Sequence, residues 1–178
     1  LYFHQTLSWG TGDTATGVLR KVIRREIEDY VLVVEGSLPL ASEMYCTLGT
    51  PGGGHRAVAD WVRELAGGAR YIVAVGTCAA FGGIPAASGR DAEKQPTGAS
   101  PLSTVLPERK IVNVPGCPPH PDWIAGTIVR CLLRRRVKLD GYGRPLVYFG
   151  ATVHEQCERL DDFKQEKFAR FWGDEGCL

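Results

Sequence analysis

The feature that most narrows what this chain can fold into is a short apolar run that recurs and halts each time at a glycine or proline. Residues 30–35 (YVLVVE) stop at Gly36, residues 71–75 (YIVAV) at Gly76, residues 110–114 (KIVNV) at Pro115, and residues 145–149 (PLVYF) at Gly150. Runs of this length without polar alternation suit strands buried on both faces, and glycine or proline suits the exit from a sheet edge. Between the runs, apolar residues fall at helical spacing. Val18, Leu19, Val22, Ile23 and Ile27 form a stripe over 14–27, with Asp13 available as a cap. Val58, Trp61, Val62 and Leu65 do so over 54–66, ended by Gly67 and Gly68. Trp123, Ile124, Ile128, Val129, Leu132 and Leu133 do so over 122–133, after Pro121. A last helix, poorer in apolar residues, is expected over 161–171. Strand and helix in alternation predict an α/β fold: a doubly wound parallel sheet with right-handed crossovers and a working site at the carboxyl ends of its strands. Residues 82–107, rich in Gly, Pro, Ser and Ala, form an aperiodic stretch far longer than the usual connection of about 4–6 residues, and are expected to be a functional or docking loop.

At 178 residues the chain suits one domain of ordinary size. Lys and Arg number 21 against 20 Asp and Glu, so the net charge of +1 offers no electrostatic footprint for nucleic acid or an anionic membrane. Apolar residues at 44% are globular in proportion, which argues against disorder. No window approaches the ~20 uninterrupted apolar residues of a membrane span, and the N-terminus lacks the basic-then-apolar layout of a secretory signal. The chain opens at Leu1 inside what reads as structured sequence, so the expectation is that residues upstream have been cut away or left out.

Six cysteines, at 46, 78, 117, 131, 157 and 177, are too few and too scattered for a disulfide scaffold, and no CxxC pair is present. Cys78 in Val-Gly-Thr-Cys and Cys117 in Val-Pro-Gly-Cys occupy equivalent places just past two predicted strands, where flanking glycine and proline fix the backbone close to whatever the sulfur binds. Ordinary buried cysteine is the alternative for either one alone, and two matched loops weigh against it. Two thiolates do not complete the four ligands of a four-iron cluster, so the others would come from a missing part of the chain. His154, Cys157 and Cys177 form a second set that can converge on one metal or cluster if the segment turns; taken alone they are a surface histidine and exposed thiols. Cys46 and Cys131 are expected to serve packing. Glu35, ending a strand at the same sheet edge as Cys78, suits either tuning of a metal centre or hydrogen bonding to loop amides. Pro51-Gly-Gly-Gly-His55 before a helix is a weak anion-binding pattern without the Lys and Ser/Thr of a P-loop, and Arg134–Arg136 suit a solvated helix end. No Ser-His-Asp order, HExxH or paired-carboxylate motif stands out.

A longer set of stretches recurs in one order along nearly the whole chain: Phe-His-Gln-Thr-Leu near the start, Val-Val-Glu-Gly-Ser-Leu-Pro at 33–39, Val-Gly-Thr-Cys-Ala-Ala-Phe-Gly-Gly at 75–83, Pro-Thr-Gly-Ala at 96–99, Pro-Gly-Cys-Pro-Pro at 115–119, Trp-Ile-Ala-Gly-Thr-Ile-Val at 123–129, Gly-Arg-Pro at 143–145, His-Glu-Gln-Cys at 154–157 and Gly-Asp-Glu-Gly-Cys at 173–177. In that order they resemble the small, electron-transfer subunit of nickel–iron hydrogenases, in its central/N-terminal flavodoxin-like domain. The resemblance implies that residues 1–150 form a flavodoxin-like domain and 151–178 the start of an incomplete distal-cluster segment. It implies docking on a large subunit that holds the nickel–iron centre, where hydrogen is split, and electron passage through 4Fe-4S clusters to a cytochrome, quinone or soluble carrier. Cys78 and Cys117 match two of the four proximal-cluster ligands, Glu35 a glutamate beside that cluster, and His154, Cys157 and Cys177 three distal-cluster ligands. The family's remaining proximal ligands lie in a CxxC motif ahead of the first residue here; the fourth distal cysteine and the medial-cluster segment lie beyond Leu178. Family members are membrane-attached, periplasmic or cytoplasmic, and a higher oligomer is compatible with the resemblance. The nearest rival is the homologous cluster-bearing subunit of a quinone-reducing respiratory complex, which shares Pro-Gly-Cys-Pro-Pro but has no histidine-ligated distal cluster, so His154 and Cys157 speak against it. A metal-free flavodoxin-like interaction module is the other.

A neutral imidazole in place of a thiolate removes negative charge from a cluster and favours its reduced form, as in Rieske centres. His154→Cys is therefore expected to lower the distal potential in spectroelectrochemistry; an unchanged or higher value would contradict ligation by His154.

Overall fold

The computed structural model describes residues 1–4, 6–8, 10, 12–49, 54–87 and 96–177. In chain order the elements are α1 (Gly12–Ile23), β1 (Val31–Glu35), β2 (Leu38–Pro39), β3 (Thr47–Gly49), β4 (His55–Ala57), α2 (Val58–Gly68), β5 (Tyr71–Val75), α3 (Gly76–Phe81), α4 (Gly83–Ala86), β6 (Ala99–Ser100), α5 (Leu102–Val105), β7 (Ile111–Val114), α6 (Pro121–Leu132), α7 (Leu146–Phe149) and α8 (Leu160–Lys164). Three of the four predicted apolar runs form one parallel sheet in the order β1-β5-β7. Its register sets Val33, Val73 and Val112 abreast, and at the carboxyl end Glu35, Val75 and Val114.

Because side chains alternate across a strand, the central strand feeds two cores. Ile72 and Ala74 join Ala59, Val62 and Ala66 of α2, Ala79 and Ala80 of α3, and Leu102 and Val105 of α5. Val73 and Val75 join Val112, Val114 and Cys131, with Trp123 and Ile124 of α6 packed against them. A third cluster sets Leu19 and Val22 of α1 on Trp61 and Leu65 of α2. Helices thus cover both faces of a parallel sheet, as an α/β fold requires. Among the described residues no helix is long and apolar enough to cross a membrane.

Several expectations are corrected. Residues 145–149 are not a fourth strand. Leu146–Phe149 is the short helix α7, and the Pro145 carbonyl accepts from the N–H groups of Tyr148 and Phe149, both at 3.0 Å. A four-residue apolar run carries no period to tell strand from helix, and with Val147 58% exposed this one is not buried on both faces. The last helix is confined to α8, since Glu166 turns left-handed (φ 57°) and the next residues pair with Cys177. The first helix ends at Ile23, before a left-handed Arg25 (φ 62°), and Asp13 lies inside it rather than capping it. The helix predicted from 54 begins at Val58, because His55–Ala57 pairs instead with Thr47–Gly49. Residues 51–53 of the glycine run lie outside the described residues, and His55 sits in that strand rather than at a helix start. On α6 Thr127 and Cys131 are buried, with Trp123 and Ile124 partly buried on the core, while Val129, Leu132 and Leu133 are exposed. Arg134 is more than a solvated end, since it pairs with Asp29 at 2.8 Å. Within 82–107 the described residues form α4, β6 and α5.

In place of a fourth strand, a tight turn seals the outer edge of β7. Gly143 (φ 74°) offers its carbonyl to the Asn113 N–H at 2.8 Å, and Asn113 Nδ2 donates to the Tyr142 carbonyl at 2.8 Å. Asp140 organises the turn: its carboxylate accepts from the N–H groups of Tyr142 and Arg144, both at 2.9 Å, and from Arg144 Nε at 2.7 Å. Desolvation pushes the Asp140 carboxyl up, but the backbone donors of Arg144 and Tyr142 and the Arg144 guanidinium outweigh it and hold it below its ordinary value. A depressed carboxylate contributes stability that is complete above the unfolded value of about 3.9 and is lost as pH falls through the lower folded value. The amide resonances of Tyr142 and Arg144 should therefore hold their native shifts down past about pH 3.9 and move together below it; in Asp140→Asn that joint transition should be absent. Native-protein shifts that already drift at pH 5 would refute the assignment.

Candidate functional site

At the carboxyl edge of the sheet the two cysteine loops are tied to each other. β5 passes directly into α3 through Gly76, whose φ of 85° no L side chain adopts easily. Thr77, the next residue, donates its N–H to the Gly116 carbonyl at 2.9 Å, and Gly116 returns its N–H to Thr77 Oγ1 at 3.0 Å. Each partner immediately precedes a cysteine, so this reciprocal pair ties the two cysteine-bearing loops to each other at adjoining strand ends. Gly116 (φ 150°) tolerates no side chain, since a Cβ would lie 2.3 Å from Pro119 Cα. After it the chain runs through a cis Cys117–Pro118 bond to His120, whose Nδ1 accepts from the Asp122 N–H at 3.2 Å and caps α6. Cys78 is half-buried and Cys117 exposed. A Cβ on Gly83 would stand 2.6 Å from Cys78 Sγ, so only glycine lets this backbone lie so close to the cysteine. Glu35 is exposed at the end of β1, in the same row as Val75 and Val114.

The second set is gathered by other means. Thr152 and Glu155 form a capping box: the Thr152 N–H and hydroxyl lie 2.6 and 3.0 Å from Glu155 Oε2, and the Glu155 N–H lies 3.2 Å from Thr152 Oγ1. The Thr152 backbone N–H and then its hydroxyl hold the Glu155 carboxyl below its ordinary value. The turn so closed carries His154 and Cys157, with the Cys157 N–H on the His154 carbonyl at 3.1 Å. Cys177 is held on both sides: its N–H donates to Lys167 O at 2.9 Å and its carbonyl accepts from the Ala169 N–H at 2.8 Å. An aromatic chain joins the two, the His154 ring lying edge-on to Phe163 (4.6 Å) and Phe163 to Phe168 (6.1 Å), the residue bridged to Cys177. Arg159 Nη1 donates to the Gly176 carbonyl at 3.0 Å. Among the described residues no three His, Cys, Asp or Glu side chains converge tightly enough for a single metal ion. A four-iron core is several ångströms across, so its ligands stand apart around it.

Cys131 is fully buried, and burial pushes its thiol up, as packing predicts. Cys46 is exposed, beside exposed Met44 and Tyr45, against the expectation that it packs. Thr77, Gly83, the Thr152–Glu155 box and Arg159 were not singled out from the sequence; only the box has a readable signal, the Thr-x-x-Glu spacing.

The family model described as NADH ubiquinone oxidoreductase, 20 Kd subunit, matches residues 3–131. The periplasmic NiFeSe hydrogenase small subunit of Desulfomicrobium baculatum is 37% identical over 194 residues, covering 99% of this chain and 60% of that protein. The hydrogenase-2 small chain of Escherichia coli (strain K12) is 37% identical over 179 residues, covering 99% of this chain and 45% of that one. The chain thus spans about half the length of these curated relatives. Among solved structures, a reduced, active form of the Ni-Fe-Se hydrogenase from Desulfomicrobium baculatum aligns with a TM-score of 0.83 at 36% identity, over 99% of this chain and 68% of that one.

Removing the acceptor at Thr77 leaves the Gly116 N–H without its partner, at a cost of about 1–3 kcal/mol. Scanning calorimetry should find the midpoint of Thr77→Val lowered by roughly 3–10 °C, with Thr77→Ser close to the parent. Equal midpoints for the Val and Ser variants would show that the bond does not hold the loops.

Proposed function

Because the chain belongs to the family of the NADH ubiquinone oxidoreductase 20 Kd subunit and, within it, to the hydrogenase small subunits, we propose that it is the iron–sulfur electron-relay subunit of a nickel–iron hydrogenase. In this role it docks on a large subunit that holds the nickel–iron centre and passes electrons from hydrogen outward to a cytochrome, quinone or soluble carrier. Residues 1–150 act as the flavodoxin-like part, with Cys78 and Cys117 as proximal 4Fe-4S ligands and Glu35 beside them; residues 151–178 begin the distal-cluster segment, with His154, Cys157 and Cys177 as ligands. The remaining ligands and a medial cluster belong to family sequence outside residues 1–178.

The observation that carries this proposal is the reciprocal Thr77–Gly116 bond, which ties the loops bearing Cys78 and Cys117 to each other at the edge where α/β sheets hold ligands. The donor chemistry fits, since four-iron clusters take cysteine thiolates, and the glycine backbone at Gly83 lies close against Cys78. A bound cluster supplies one-electron chemistry at a potential set by its ligands and surroundings. The protein's part is to fix the sulfurs, to exclude water with the buried side chains of Val75, Val114, Ala79 and Ala80, and to approach closely with a glycine backbone. The description of the family model favours a second reading, the subunit of a quinone-reducing respiratory complex. Its match ends at residue 131, whereas the hydrogenase likeness covers 99% of the chain and so takes in the His154–Cys177 segment.

The intact heteromer should contain iron and acid-labile sulfide and should reduce a dye with hydrogen. Outer-shell changes at metal sites cost about 10–100-fold, so loss of a ligand in Cys78→Ser or Cys117→Ser should cost at least that much of the hydrogen-dependent rate and abolish the proximal paramagnetic signal. Protein free of iron would sink both cluster readings, and quinone reduction without hydrogen turnover would select the respiratory one.

A further inference from the structure

We propose that Arg159 is the counter-charge of the distal cluster, held in place by its hydrogen bond to the backbone beside Cys177. With His154, Cys157 and Cys177 as ligands, as in the relay proposed above, Arg159 stands two residues past Cys157, and its guanidinium meets the carbonyl of Gly176, one residue before Cys177. It therefore spans the two chain segments that supply the ligands.

The acceptor cannot drift. Gly176 is buried at φ 130°, packed so that a Cβ would lie 2.8 Å from Lys167 O, and the following residue is bonded through both its N–H and its carbonyl. Among the described residues no carboxylate pairs with Arg159. Its neighbours differ: Lys164 pairs with Asp161 at 3.7 Å, and Lys167 with Asp162 and Glu175 at 3.9 and 3.2 Å. A guanidinium stays charged at any working pH and carries five donors, of which the Gly176 carbonyl takes one. A cluster of thiolates and sulfides is anionic and becomes more so on reduction, so an unneutralised cation at this point favours the reduced form.

The test is redox potentiometry of the intact heteromer, read by the paramagnetic signal of the distal cluster, with Arg159→Gln and Arg159→Lys. The expected result is that Arg159→Gln keeps its distal iron but shows about a tenfold lower reduced-to-oxidised ratio at fixed potential, equivalent to about 59 mV for one electron, while Arg159→Lys stays near the parent. A parent-like potential in Arg159→Gln would overturn the proposal. So would equal shifts in both variants, which would trace the effect to guanidinium geometry rather than charge, or loss of distal iron in both with the remaining clusters at the parent potential, which would leave Arg159 a structural tie. Parent protein without a distal cluster would instead refute the relay function, a failure distinct from these.

Discussion

The structure depends most on one pair of hydrogen bonds, those exchanged by Thr77 and Gly116. Parallel strands have no short hairpin to join them, so β5 and β7 are brought together by long crossovers, and their ends could diverge once the ladder stops at Val75 and Val114. The Thr77–Gly116 exchange extends the pairing one step past the sheet. It works only because Gly76 and Gly116 take backbone angles closed to other residues. The sulfurs of residues 78 and 117 thereby inherit the positional accuracy of two buried strands rather than the latitude of two loops.

The C-terminal segment is built on a different principle. It has no apolar core of its own: Val153, Phe171 and Trp172 are 89%, 76% and 93% exposed. What orders it is a capping box, a backbone clamp on Cys177, two edge-on aromatic contacts and one arginine-to-carbonyl bond. Hydrogen bonds of this kind contribute about 0.5–1.5 kcal/mol each when solvent competes. The first set of cysteines is therefore mounted on the core, and the second on a surface segment whose geometry is a sum of small terms.

Much of this was legible in the sequence, for identifiable reasons. Strands at 71–75 and 111–114 announce themselves because a buried parallel strand is a continuous apolar run and its exit needs glycine or proline; 31–35 carries the same run although only Val34 of it is buried. The run ending at Phe149 imitates them, but its valine and leucine face solvent and the Pro145 carbonyl starts a helical turn instead. Two-residue strands such as Leu38–Pro39 carry no pattern at all. At the candidate site, glycines around Cys78 and Cys117 drew attention to two loops that the folded chain ties together, whereas Thr77 and Gly83 act through contacts that only the folded chain creates. Cys46 misled because its neighbours Met44 and Tyr45 are apolar in type yet exposed in place.

The two margins of the parallel sheet are finished differently. The Gly143 turn closes the outer side of β7, but β1 pairs only with β5 among the described residues, and Val33 within it is 42% exposed. A bare strand margin flanked by an apolar side chain is a template for further backbone addition. Handled as a separate polypeptide, the chain would therefore meet its first difficulty in colloidal behaviour, with intermolecular strand addition growing with concentration unless some other backbone occupies that margin.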